Sequence, residues 1–231
     1  AAAVHWTRLE TIGLGWLISP LTGALFGFVL MKTISWLILG ARDPARRARI
    51  WGPFYVMLAM LGVSLLTTDD LLRQMGMELG AEASLMFPLV IVALVVLLGV
   101  VLSQSASDSS PDGRFAPITL FTMCSMAFAH GSNDVGNAVG PMLAVLRVVE
   151  TGLFSASTAA PIWLFLVGGV GIVAGAATFG YRVVRTVGRR ITTLTPCHAY
   201  AIMLSTTVVV LFASRQGIPV STTQTLVGAV V

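Results

Sequence analysis

Ala129-His130-Gly131-Ser132-Asn133-Asp134-Val135-Gly136-Asn137-Ala138-Val139-Gly140-Pro141 puts a polar run inside an otherwise apolar stretch, with Ile118 to Phe128 before it and Val139 to Val149 after it. A surface loop would not need such flanks. Gly131 lets the chain leave helical geometry, and Ser132, Asn133 and Asp134 are all strong N-cap types. The expected local structure is a helix that stops at Gly131 and restarts near Asp134. At membrane depth, unpaired backbone is tolerated only where it is buried in protein or lines a cavity.

About ninety residues on, Arg215-Gln216-Gly217-Ile218-Pro219-Val220-Ser221-Thr222-Thr223-Gln224-Thr225-Leu226-Val227-Gly228 has the same design. Gly217 is a helix stop, and Pro219 holds Ile218 outside helical geometry. Ser221 or Thr222 then caps a new helix that runs through Leu226.

The rest of the chain places these breaks in lipid. Of 231 residues, 56% are hydrophobic and only 10% charged, with a mean hydropathy of +0.88; soluble domains carry roughly 25% charged residues. Segments 11–39, 51–67, 85–102, 117–147 and 159–181 meet or approach the length of a bilayer-spanning helix. A sixth runs from Pro196 to about Ala213. The net charge of +4 does not point to nucleic acid. Arg42, Arg46, Arg47 and Arg49 form one short cluster and Arg182, Arg185, Arg189 and Arg190 another, the pattern of cytoplasmic loops. Loop 68–84, with Asp69, Asp70, Glu78 and Glu82, suits the outside. The two basic clusters agree on one side only if 117–147 makes a net crossing. Cys124 and Cys197 fit neither a disulfide framework nor a zinc spacing. The opening Ala1-Ala2-Ala3 and the apolar close at Val231 lead us to expect a fragment.

Two half-helix N-termini in a membrane chain have a physical use, because each offers free N–H groups and the positive end of a helix dipole to an anion. Discontinuous helices of this kind mark the midplane sites of secondary transporters. Ser and Thr hydroxyls and Asn amides can donate to a tetrahedral oxyanion while staying neutral. Asp134 would repel that anion unless a cation sits between them, so it points to a coupling cation. The bland alternative makes Asp134 a helix cap, and Ser221-Thr222-Thr223 allow the same reading. His130 and Asp134 stand at a metal-compatible i, i+4 spacing. Gly131 is expected to break that turn, and no third ligand is evident, so no metal site is expected. His198 is expected at the membrane interface. Gly23 with Gly27, and Gly171 with Gly175, are small-residue pairs that suit ordinary helix packing in lipid. A re-entrant-loop anion channel would favour repeated carbonyl or charge rings. An intramembrane metal-dependent hydrolase would need a second carboxylate that the apolar segments lack. The chain therefore reads as a transporter and not an enzyme.

At these residues the chain resembles the inorganic phosphate transporter (PiT) family. Gly131 to Pro141 looks like the family signature, and Pro219 to Thr225 resembles its second recurrent motif. Gly168-Gly169-Val170-Gly171 lies between them, and Trp16-Leu17-Ile18-Ser19-Pro20 ahead of them also fits. The resemblance implies an all-α, polytopic transmembrane protein with inverted repeats and interrupted or re-entrant helices. It would be a sodium- or proton-coupled phosphate symporter in the inner or plasma membrane, needing no cofactor besides the coupling ion. Residues 1–116 would precede the second repeat and 117–231 would form it, with the other signature copy in a missing N-terminal half. A homodimer is compatible with this design. Asn133, Asn137, Ser221, Thr222 and Thr223 would bind phosphate, and Asp134, Asn133 and Ser132 the coupling cation. The family usually has Ala or Ser at Gly136 and His at Gln224; Gln224 removes a titratable group and puts proton coupling there in doubt.

Overall fold

The computed structural model describes residues 6–74, 86, 89–90, 92–94, 96–97, 101, 110–152, 160–190 and 194–231. Helix α1 spans Trp6–Ile34 and ends in a π-helical turn, Ser35–Leu39. Then follow α2 (Pro44–Gln74), α3 (Pro111–Thr151), α4 (Ile162–Arg190), α5 (Pro196–Arg215) and α6 (Thr222–Val230). Among the described residues four stretches are long and apolar enough to cross a bilayer: Leu9–Leu39, Pro44–Thr67, Ile162–Val183 and Pro196–Arg215. Half of the span expected at 85–102 lies outside the described residues, and the described half is helical; most of loop 68–84 and its acidic side chains also lie outside them.

Capping chemistry sets several boundaries. Asp43 accepts a hydrogen bond from the Arg46 N–H at 3.0 Å, ahead of Pro44 at the first position of α2, where a missing N–H costs nothing. Ser110 accepts from the Gly113 N–H at 3.0 Å and opens α3 in the same way.

The chain forms two compact units, residues 1–126 with 194–231, and residues 127–193. In the first, α1 lies along α6 through small residues. A Cβ on Gly15, Gly23 or Gly228 would come closer than 3.0 Å to the backbone carbonyl oxygen of Pro219, Thr225 or Pro20 respectively. Ser19, on the same face, is fully buried and bonds back to the Gly15 carbonyl. Small residues at every fourth position let two backbones touch, which supplies van der Waals contact where lipid offers no hydrophobic gain.

Helices α2 and α5 run parallel. The Tyr200 hydroxyl donates to the Tyr55 carbonyl at 2.7 Å, Val208 packs over Gly62, and the Arg215 guanidinium donates to the Leu65 carbonyl at 2.7 Å. The rings of Tyr55, Phe115 and Tyr200 meet at the centre, with centroids 5.4 to 5.7 Å apart. Tyr55 also donates to the Thr33 hydroxyl of α1 at 3.0 Å, so this buried phenol is satisfied. The start of α3 is pinned to the start of α5. Asp112 accepts from the Cys197 N–H at 3.2 Å, and Thr119 donates to the Pro196 carbonyl at 2.9 Å. Asp112 thus supplies, from another helix, the cap that Thr195 does not provide.

The second unit holds the end of α3 and all of α4. Val135 and Val139 of α3 pack on Gly168 of α4. Most described α4 side chains are exposed, and Gly171 and Gly175 meet nothing within 4 Å. Among the described residues, packing through small residues therefore holds for Gly23 and Gly27, while Gly171 and Gly175 have no such partner.

The expected stop at Gly131 is not there. Residues 111–151 form one 41-residue helix, and the glycines with positive φ among the described residues are Gly152 and Gly217. The physical reason is that helix is the one conformation that satisfies its own backbone. Keeping Gly131 and Gly136 helical costs about 1 kcal/mol each, less than several unpaired peptide groups in an apolar setting.

Candidate functional site

Helical continuity decides how the first polar run presents itself. His130, Asn133, Asp134 and Asn137 are spaced i, i+3, i+4, i+7, so they share one face of α3. The His130 Nε2 lies 3.4 Å from Asp134 Oδ2, with both side chains about 40% exposed. The Asn133 amide reaches the other oxygen, Oδ1, at 3.4 Å. Asn137 is exposed one turn on. Its carbonyl has no N–H four residues on to accept from, because that residue is Pro141. The face therefore gathers a carboxylate, two amide oxygens and a backbone oxygen, all hard donors suited to a small cation.

Ser132 does not join this set. It points off the stripe by helix geometry, and its hydroxyl donates to the Ala129 carbonyl at 3.1 Å, so it neither caps a helix nor stands beside Asp134. His130, set aside as separated from Asp134 by a broken turn, is instead Asp134's neighbour. The i, i+4 spacing was the signal for it. Among the described residues no group of three or more His, Cys, Asp or Glu could hold a metal ion.

The second break is present as expected. Helix α5 ends in a Schellman turn: Ile218 N–H donates to the Ala213 carbonyl at 2.9 Å, Gly217 N–H to the Ser214 carbonyl at 3.1 Å, and Gly217 has φ +65°. Non-helical backbone then runs through Pro219 to Ser221. Ser221 is the N-cap of α6 and accepts from the Gln224 N–H at 3.3 Å. Ser221-Thr222-Thr223-Gln224 has the capping-box pattern. The three hydroxyl residues separate by role. Ser221 caps, Thr222 is 3% exposed, and Thr223 faces outward beside Gln224. Thr225, buried one turn later, donates to the Ser221 carbonyl at 2.8 Å. The exposed end of α6 therefore offers backbone N–H groups, the Thr223 hydroxyl and the Gln224 amide, which is a donor set for an anion. His198, expected at the interface, sits in the first turn of α5 with its Nδ1 2.9 Å from the Thr195 hydroxyl.

The polar stripe of α3 belongs to the second unit and the α6 N-terminus to the first.

A family model described as Phosphate transporter family matches residues 1–231. A Pyrococcus abyssi protein named as an inferred phosphate permease is 36% identical, over 99% of this chain and 57% of its own length. Inorganic phosphate transporter 2-1, chloroplastic, from Arabidopsis thaliana is 33% identical, over 100% of this chain and 44% of its own length. A solved structure titled as the sodium-dependent phosphate transporter superposes with a TM-score of 0.79 at 33% identity, covering 97% of this chain and 56% of that one. The chain thus spans about half the length of these relatives.

Proposed function

The chain belongs to the phosphate transporter family and is an integral, multi-pass membrane protein, and from that premise we propose that the whole protein carries inorganic phosphate across its membrane coupled to sodium. The observation that carries the coupling is Asp134: a carboxylate on an otherwise neutral polar stripe, flanked by Asn133 and Asn137, within a chain of low charge. A carboxylate on the route of an anion needs a cation beside it. In this reading Asp134, with the amide oxygens of Asn133 and Asn137, holds the cation. Each unit has its own donors for phosphate in this reading: the Asn133 and Asn137 amides on α3, and the α6 N-terminus with Thr223 and the Ser221–Thr222 turn. Ser132 would join Asp134 at the cation by turning its hydroxyl from the Ala129 carbonyl, to which it donates at 3.1 Å. Sodium is favoured over a proton because the solved relative is titled sodium-dependent and because position 224 carries Gln, which does not titrate. Residues 117–231 would form one transport repeat, and the remaining length of the relatives its counterpart.

Uptake of labelled phosphate by the whole protein in liposomes, driven by a sodium gradient or by a pH gradient, tests this. Sodium-driven accumulation that Asp134→Asn nearly abolishes, with membrane insertion intact, is the expected result. Parental uptake and unchanged sodium dependence in Asp134→Asn would show that the carboxylate has no part in coupling.

A further inference from the structure

At the turn between α1 and α2, far along the sequence from either polar site, the structure has a cavity of about 420 Å³ lined by Ala41, Arg42, Asp43, Arg46, Arg47 and Ile50. It is a groove open to the surface, since Arg42, Asp43, Arg46, Arg47 and Ile50 are all exposed, with room for a headgroup-sized anion. We propose that this cavity binds a phosphate oxyanion at the membrane surface, supplied by an anionic phospholipid headgroup or by free phosphate.

Charge comes first. Three guanidiniums and one carboxylate line the cavity, and no salt bridge joins Arg42, Arg46 or Arg47 to a carboxylate among the described residues. The Asp43 carboxylate is turned to a structural task, accepting the Arg46 N–H at the start of α2. The lining thus keeps an excess of planar, multiply donating cations, the group best matched to phosphate oxygens. The 31-residue α2 begins here, and its N-terminal dipole adds positive potential.

Position comes second. The cavity sits where two apolar spans, Leu9–Leu39 and Pro44–Thr67, meet at one membrane face. Trp36, in the π-helical turn at the same end of α1, is 77% exposed, as an indole in the headgroup layer would be. Ile50 gives the cavity an apolar rim and is 58% exposed. A ligand with a phosphate beside hydrocarbon meets both parts of this lining, which favours the lipid source. Basic pockets between spans on the cytoplasmic side are known to take such headgroups, and the positive-inside bias assigns this turn to that side.

Arg49 allows a matched control. It is exposed in the same cluster but does not line the cavity, so Arg49→Gln removes the same charge, with the same consequence for topology, while leaving the cavity whole. The whole protein in neutral detergent would be titrated with phosphatidylglycerol, with phosphatidylcholine and with inorganic phosphate. Bound lipid is read by native mass spectrometry and bound phosphate by equilibrium dialysis, each as the difference from the parental protein. Arg46→Gln and Arg47→Gln should each weaken phosphatidylglycerol binding about tenfold, Arg49→Gln should leave it within about twofold of the parental value, and phosphatidylcholine should not compete. The same pattern for inorganic phosphate alone would support the site with free phosphate as its source. Equal losses in Arg46→Gln and Arg49→Gln would mean diffuse attraction to a basic loop and overturn the proposal. So would binding that none of these variants changes.

Discussion

The absence of a side chain is itself the contact at Gly228. Its Cα faces the Pro20 carbonyl of α1 so closely that a methyl group would enter the space of the backbone. Backbone cannot move aside as a flexible side chain can, so the helices must separate to admit even one carbon. Gly228→Ala should destabilise the folded protein by about 2 kcal/mol or more, seen as a lower unfolding temperature in detergent. Gly13, on α1 but with nothing within 4 Å of its would-be Cβ, is the control. Gly13→Ala should be neutral or stabilise by up to about 1 kcal/mol, the helix-propensity gain of Ala over Gly, and equal losses from both changes would mean that backbone approach is not what glycine provides at 228. Reading the sequence singled out Gly23 and Gly27 as a packing pair but could not tell them from Gly171 and Gly175. Both pairs have the same spacing, and only a partner helix distinguishes them.

At the scale of the element, the two polar runs show which local signals survive in an apolar setting. The break after α5 was legible because Gly217, Pro219 and Ser221 each act in one direction: a left-handed stop, an obligatory non-helical residue before proline, and a cap. The run from Gly131 to Asn137 carries equally good cap residues but no proline before Pro141. Glycine and asparagine permit a break without enforcing one, and the helix that pairs its own backbone wins. That outcome sets His130 beside Asp134 and leaves the Ser132 hydroxyl on the Ala129 carbonyl. The start of α6, by contrast, depends on one hydroxyl. Ser221→Ala removes the acceptor for the Gln224 N–H and should cost about 1 kcal/mol, concentrated in the first turn of α6. Hydrogen exchange of the amides from Thr223 to Thr225 should quicken while those in the middle of α5 do not change. Unchanged exchange at Gln224 would mean that the Ser221 hydroxyl does not hold this helix.

Across the first unit, the direction of each helix follows from pairs of contacts rather than from hydropathy. Which faces pack was not legible beforehand, because in lipid both the buried and the exposed sides of a helix are apolar and periodicity loses its meaning. Tyr55, Phe115 and Tyr200 come from three distant segments and read, one by one, like any aromatic residue facing lipid. Their meeting is a property of the fold. Direction is another matter, since loop charge carries it. Contacts of Tyr200 with Tyr55 and of Arg215 with Leu65 make α5 parallel to α2. Asp112 and Thr119 bring the start of α3 to the start of α5. The beginnings of α2, α3 and α5 therefore share one membrane face, the face the Arg42–Arg49 cluster assigns to the cytoplasm, and the turn after α5 lies toward the other. Single cysteines at Ala45, Ser110 and Thr195 in a background without Cys124 and Cys197 should react only with reagents that reach the cytoplasm. One at Gln216 should react only from outside. The four sites test packing and charge separately: reversal of all four together would keep the helix directions and refute the charge assignment. Labelling of Thr195 and Gln216 from the same side would refute the crossing of α5 itself, which hydropathy and the parallel contacts with α2 both require.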